Sequence, residues 1–171
     1  MKWLLYLVVA LFLLVAAVFC VGYLLPAQTT IARSITLQAK PEAVFAALAD
    51  VQHMAEWNRN TVKVEMLPPT DGKETTRQTF KGGMTMTIIT AESQPPTHLV
   101  RNLGDHSGPF SGSWTYDLSP NDGGTRVVLT EVAGFKNPLF RVMARLFGPT
   151  KYIDDHLEDL AKKFGETAKP G

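Results

Sequence analysis

The chain has 171 residues, with 17 Lys and Arg against 16 Asp and Glu, enough for one domain with a substantial core but not for two large ones. Setting aside Lys2, the rest of the chain balances at 16 basic and 16 acidic groups, interspersed and without runs, so there is no electrostatic case for gripping nucleic acid. Cys20 is the only cysteine, which excludes an intrachain disulfide and a cysteine-based metal site; its apolar neighbours fit a buried, inert thiol.

From Trp3 to Leu25 the sequence reads WLLYLVVALFLLVAAVFCVGYLL, without a charge. At about 1.5 Å per residue a helix of this length crosses a hydrocarbon core of roughly 30 Å. Trp3, Tyr6 and Tyr23 lie near its ends, where amphipathic aromatics favour the interface, and Pro26 blocks continuation. A cleaved signal peptide is the rival, but its apolar core runs only about 7–15 residues before a small-x-small site, and LLPAQTT is a poor one. Residues 1–28 are thus expected to be an uncleaved single-pass anchor and linker in contact with the lipid bilayer. Lys2 is the nearer flanking charge, which leans toward a cytoplasmic N-terminus and a domain outside the cytoplasm, as in a bacterial inner-membrane protein.

The rest of the chain alternates short elements. Thr30–Ala39 places Ile31, Ile35 and Leu37 at period two, a strand. Pro41 and Glu42 open a short helix with Val44, Phe45 and Leu48 as its apolar stripe, and a second short piece ends on Trp57. Val62–Leu67 alternates; PPTDG is a turn; Lys73–Phe80 is Thr-rich, as an exposed strand can be. Met84, Met86 and Ile88 share a face of the next strand. His98–Leu103 and Phe110–Leu118 follow, the latter with Phe110, Trp114, Tyr116 and Leu118 on one face. SPNDGG reads as a hairpin turn into a last strand ending at Phe135. Leu139, Val142, Met143 and Leu146, then Ile153, Leu157, Leu160 and Phe164, have helical spacing, interrupted by Gly148-Pro149. Glu158/Lys162 and Asp159/Lys163 are expected on the outer face of the second helix, and residues 167–171 as a frayed tail. Consecutive hairpins make an antiparallel sheet with one buried face, and the long last helix is its only large apolar partner. The fold class is α+β.

ITLQAKPEAVFAALADVQHMAEW resembles the opening signature of the START-like, polyketide-cyclase-type superfamily with the helix-grip fold: a strand leading through Ala-x-Pro into a helix with Val-Phe-x-x-Leu, an Asp, then a Trp. GSWTYDLSPNDGGTRVVLTEVAG resembles its penultimate hairpin, and the segment from NPLFRVMARL to YIDDHLEDLAKKFGE its closing helices. The resemblance covers Thr29–Glu166, taken as one domain (29–166). It implies a curved antiparallel sheet gripping the last helix, a cavity between them, and apolar or amphipathic small-molecule ligands such as lipids, sterols or polyketides. Some members are cyclases or hydrolases, so the fold alone does not decide function.

The polar candidates are Arg77, His98, Arg101, Asp105, His106, Glu131 and His156. His98 and His106 have no third partner at metal-ligand spacing, no cofactor or phosphate motif appears, and SGPFSGS is not a nucleophile elbow. Glu131 shares parity with Val127 and Leu129. Facing a cavity, its carboxyl would have a raised pKa and could act as acid or base; if Val128 and Val132 face inward instead, it is solvated. Arg101 has the same ambiguity with Leu99 and Leu103: inward it could pair with a ligand carboxylate or with Glu131. Trp57, Met84, Met86, Trp114, Tyr116 and Phe147 read first as core, and together suit a cavity wall. The expected function is a membrane-anchored binder of a hydrophobic or amphipathic small molecule. The alternatives are a cyclase- or hydrolase-type enzyme using Glu131, and an interaction module whose cavity is filled by its own side chains.

Overall fold

The structure is a computed structural model of the full chain and describes residues 2–104, 108, 110–146 and 150–171. Helix α1 (Lys2–Leu24) precedes strand β1 (Gln28–Leu37). Pro41 occupies the first turn of α2 (Pro41–Ala49), where its missing N–H costs nothing, and Asp50 leads through a single 3₁₀ turn into α3 (Met54–Trp57). Six strands follow: β2 (Thr61–Thr70), β3 (Lys73–Phe80), β4 (Thr85–Gln94), β5 (His98–Leu103), β6 (Phe110–Asn121) and β7 (Gly124–Phe135). Helices α4 (Pro138–Leu146) and α5 (Lys151–Lys163) close the chain. The β2–β3 and β6–β7 hairpins turn on Asp71-Gly72 and Asp122-Gly123, all four with positive φ. Two-residue turns of that hand match the twist of the flanking strands.

The seven strands form one antiparallel sheet in the order β1-β7-β6-β5-β4-β3-β2, curved around the last helix as in the expected α+β helix-grip fold. The core lies between its inner face and the helices. Ile35 and Leu37 of β1, Leu99 of β5, Tyr116 and Leu118 of β6, and Val127 and Leu129 of β7 meet Val44, Phe45 and Leu48 of α2 and Ile153, Leu157 and Leu160 of α5, all buried. An ion pair at 3.2 Å from Arg33 to Asp154 ties β1 to the first turn of α5.

Four local expectations need correction. Strand β3 is not an exposed strand: Thr75, Thr76, Gln78 and Phe80 are buried, with Gln78 donating to the Thr76 hydroxyl at 3.2 Å. Asp159 is not on the outer face of α5 but 4% exposed. It accepts from the Arg59 backbone N–H at 2.8 Å and from its guanidinium, which also reaches Asp155 and Glu158. The C-terminus is not frayed, because Gly171 exchanges backbone hydrogen bonds with Ser34 on the β1 edge and the Glu166 carboxylate accepts from the Gln38 N–H. Cys20 is exposed on α1 rather than buried.

The Arg59 cluster fixes the chain leaving α3 onto α5. Removing one partner of a buried pair costs ~3–5 kcal/mol. Because the Arg59 side chain keeps 33% of its exposure and two other carboxylates, Asp159→Ala is expected to cost about 2–3 kcal/mol, measured by urea unfolding of the detergent-solubilised protein. A loss below ~0.5 kcal/mol would show that the cluster is decorative.

Candidate functional site

The antiparallel register settles both parity questions. Ile31, Glu131, Trp114 and Arg101 stand side by side on successive strands β1, β7, β6 and β5. They belong to the inward stripe, since Val127 and Leu129 share the parity of Glu131 and Leu99 and Leu103 flank Arg101, all buried. Glu131 and Arg101 both face the helices, yet they do not pair. One strand lies between them, so their backbones are about 9.6 Å apart at ~4.8 Å per strand, and the Trp114 indole occupies the gap.

Two connected spaces lie under this rung. The outer one is an open, mainly apolar pocket of ≈ 270 Å³ lined by Asn60, Phe80, Lys81, Met84, Met86, Trp114, Glu131 and Tyr152. Below it is a narrower chamber of ≈ 30 Å³ among Met54, Asn58, Gln78, Ile88, Arg101, Tyr116, Leu129 and His156. Phe80, Trp114 and Tyr152 line both, and so form the partition. The chamber has room for one or two water-sized groups.

Hydrogen bonds define what the chamber presents. The Asn60 N–H donates to Asn58 Oδ1 at 2.8 Å, so the Asn58 amide turns its Nδ2 toward His156 Nδ1. His156 Nδ1 therefore accepts, and in the neutral ring Nε2 carries the proton. It donates to the Tyr116 hydroxyl oxygen at 3.1 Å, which leaves the Tyr116 O–H free to turn into the chamber. Burial pushes the His156 pKa down to about 4, helped by the nearby Arg101 charge, and pushes the Tyr116 hydroxyl up to about 12. Both are neutral at physiological pH.

Arg101 is 3% exposed. Its Nη2 donates to the Leu48 carbonyl at 2.8 Å, while Nε and Nη1 are buried without a partner among the described residues. Burial lowers its pKa, with Tyr116 and Glu74 opposing, but a guanidinium stays charged in a protein. The chamber thus holds an under-coordinated cation beside the Tyr116 O–H, with the Trp114 indole N–H, also without a hydrogen bond among the described residues, at its wall. This donor-rich lining suits an oxygen acceptor from outside the chain. In the outer pocket, burial raises the Glu131 pKa, and the nearby Trp114 N–H, outside bonding geometry, offsets part of the rise. Tyr152 is likewise raised by burial, and then by Tyr116 and Glu131.

Of the residues singled out from sequence, Met84, Met86, Trp114 and Glu131 come together in the outer pocket, and Arg101, Tyr116 and His156 in the chamber. Trp57 is not on either wall; its ring packs behind His156 at 5.3 Å, under Lys163. His98 pairs with Asp117 at 2.6 Å away from the pocket, and Arg77 is exposed. Phe147, Asp105 and His106 lie outside the described residues. Tyr152, Asn58, Gln78 and Phe80 were not foreseen. Tyr152 stands one position before Ile153 in a helical repeat and carried a readable signal; Asn58 and Gln78 depend on partners far along the chain and carried none.

Because His156 is neutral when folded but has an ordinary pKa of 6.5 when unfolded, the unfolded chain binds the extra proton first as pH falls. Stability from this group is full above pH 6.5 and is lost progressively down to about pH 4, on the order of 3 kcal/mol in all. His156→Gln is expected to flatten the stability profile between those values in denaturant titrations. An unchanged slope would mean that the ring is not held neutral.

Residues 28–165 match the family model described as "Polyketide cyclase / dehydrase and lipid transport". Among curated proteins none matches. Similar solved structures include the ZhuI aromatase/cyclase from Streptomyces sp. R1128 (17% identity, TM-score 0.65, 78% of this chain and 91% of that one). A conserved protein from Geobacillus kaustophilus is similar at 18% identity and TM-score 0.63 (83% and 99%). The di-domain aromatase/cyclase BexL from the BE-7585A biosynthetic pathway follows at 14% and 0.64, covering 78% of this chain, which spans 48% of BexL. At these identities the likeness is one of fold. With the family match over most of its length, the chain belongs to the polyketide cyclase / dehydrase and lipid transport family.

Proposed function

We propose that this protein is a membrane-tethered binding module for an amphipathic small molecule with an apolar body and an oxygen-bearing, preferably anionic, end. The observation that carries the reading is the donor-rich chamber under an apolar pocket. Met84, Met86, Phe80 and Trp114 suit the apolar body, because methionine adapts to irregular shapes. The free guanidinium nitrogens of Arg101 and the Tyr116 O–H suit a carboxylate or a comparable oxygen. Entry of that end requires Tyr152, which is 38% exposed at the start of α5, to swing off the partition. As for the tether, α1 is long and apolar enough to cross a membrane, and its packing on α4 speaks for a segment that stays attached. With Lys2 on the near side, the domain would lie outside the cytoplasm, as in a bacterial inner-membrane protein.

Native mass spectrometry of the detergent-extracted protein should reveal a bound small molecule. After delipidation, uptake of a fluorescent fatty acid should be saturable. Met86→Trp, which fills the outer pocket, is expected to weaken uptake at least 10-fold. Arg101→Met should weaken fatty-acid uptake about 10- to 100-fold while leaving the corresponding alcohol far less affected, consistent with ~1.5–3 kcal/mol for a charged hydrogen bond. No bound molecule and no uptake would overturn the reading in favour of an interaction module filled by its own side chains.

A second reading is supported by Glu131, whose carboxyl stands in an apolar pocket with its pKa raised by burial, while Arg101 and Tyr116, donors able to stabilise an enolate oxygen, lie beyond the Trp114 partition. A cyclase would use these groups with Glu131 moving a proton on one part of an extended substrate and Arg101 and Tyr116 holding the charge that develops on another. If turnover of a poly-β-ketone probe is found, Glu131→Gln should lower kcat about 100-fold with little change in KM; unchanged kcat would remove Glu131 from the chemistry.

A further inference from the structure

Helix α4 is not needed to close the pocket core, yet it is fastened to α1. Gly22 is the one buried residue of α1, and a Cβ there would overlap the Pro138 backbone and ring. Arg141 completes the joint: its Nε donates to the Phe135 carbonyl at 2.9 Å, and its Nη1 lies 3.4 Å from the carbonyls of Gly22 and Leu25. The Gly22 carbonyl belongs to the last turn of α1 and that of Leu25 follows its end, where intrahelical donors run out and the negative end of the helix dipole lies. Near a bilayer such groups must be satisfied by the protein itself. Besides the buried Gly22, Ala16, Val18 and Leu25 are partly shielded, so α4 sits beside the C-terminal turns of α1.

On its other side α4 carries Leu139, Met143 and Leu146, spaced four and three apart, 37%, 41% and 74% exposed. The sequence around it is one-signed: between Glu131 and Asp154 there are four basic residues (Lys136, Arg141, Arg145, Lys151) and no acidic one. Phe140 of α4 packs on Phe110 at 5.1 Å, which packs on Phe135 at 5.9 Å. Phe110 and Phe135 in turn line an apolar groove that continues to Met84 and Met86.

We infer that α4 is a bilayer-docking helix: Leu139, Met143 and Leu146 enter the acyl boundary of an anionic leaflet, Arg145 reaches the headgroups, and the Phe110/Phe135 end of the pocket is thereby held against the membrane. This rests on the reading of α1 as an anchor, because α4 takes its depth from the joint at Gly22. A short apolar ridge with basic neighbours is the composition that lies in an interface, and basic residues gain from anionic lipid within a Debye length. The bilayer is favoured over a second copy as the occupant because the ridge lies beside the last turns of a lipid-facing helix and the exposed charge of its own helix is the basic Arg145, with Arg141 taken up by the joint and Lys151 by Asp155. The ligand would then enter from the leaflet rather than from water.

Single-cysteine proteins in a Cys20→Ser background, labelled with an environment-sensitive fluorophore at Phe12→Cys, Met143→Cys or Asp122→Cys, are reconstituted in vesicles of phosphatidylcholine and phosphatidylglycerol containing spin-labelled lipid. Asp122 sits at the far end of the β6–β7 hairpin, about 40 Å from Phe110 by strand length. Position 143 is expected to be quenched at least twofold more than position 122, most strongly by a label near the headgroup, and position 12 most strongly by a label in mid-chain. Quenching at 12 with position 143 no different from 122 overturns the docking helix and leaves the anchor standing. No quenching at 12 overturns both. Adding Leu139→Gln and Leu146→Gln should bring position 143 down to the level of 122 without changing 12; persistence of the signal at 143 would overturn the ridge as the contact.

Discussion

Helix α5 is 13 residues long, about 20 Å, and it packs on a sheet whose seven strands span roughly 29 Å from first to last. A cylinder of that length and about 10 Å width cannot cover such a face. It takes the β1–β7 side, α2 and α3 close one end, and among the described residues part of the inward stripe over β3 to β7 has no backbone lid. The pocket lies where the sheet runs beyond the reach of the helices, so Arg101, Tyr116 and Glu131 come from strand positions while Asn58, Tyr152 and His156 face them from α5 and the end of α3. A longer α5, or a bulkier α3, would extend the core and remove the site.

Within that uncovered region the inward stripe departs from the apolar rule in a graded way. Glu131 sits where the wall is still half open and can be solvated, while Arg101, two strands further in, is almost wholly buried. A buried cation with one hydrogen bond lowers the stability of the empty protein, and single donors such as the Tyr116 O–H add to the imbalance. Groups arranged against folding economy are found where an external partner completes them. The His156–Asn58–Asn60 chain has the opposite character. Every member is satisfied and it fixes the direction of the Tyr116 hydroxyl, so the chamber is rigid on one side and incomplete on the other.

Much of this is legible in the sequence. Periodicity and turn residues located all seven strands and the helices to within a few positions, because Asp-Gly turns and alternating apolar residues impose the same geometry wherever they occur. Parity left Glu131 and Arg101 undecided, since Val128 and Val132 offer an equally apolar opposite face; the decision came from β1 pairing with β7 across about a hundred residues. The burial of β3 was hidden by its composition, as Thr and Gln look solvated until their partners are known. Asp159 was misread for a related reason: its attraction to Lys163 is local and visible, whereas Arg59 lies 100 residues away. Trp57 is core, as its type suggests, but packs behind His156 rather than on a cavity wall, a distinction that no spacing rule contains.

The seat at Gly22 also bears on how far the two ends of the molecule can be treated as separate parts. If α1 served only to confine the domain to a surface, any sufficiently greasy helix would be interchangeable with it. The close approach to Pro138 and the reach of Arg141 to two specific carbonyls make it a keyed fitting instead. A chimera carrying a generic polyleucine span would put a side chain where none fits, forcing α4 off its neighbour and freeing Phe140 from Phe110. The leading segment is then as much a component of the architecture around the pocket as the strands are, and exchange of such segments between relatives would have to bring the matching α4 along.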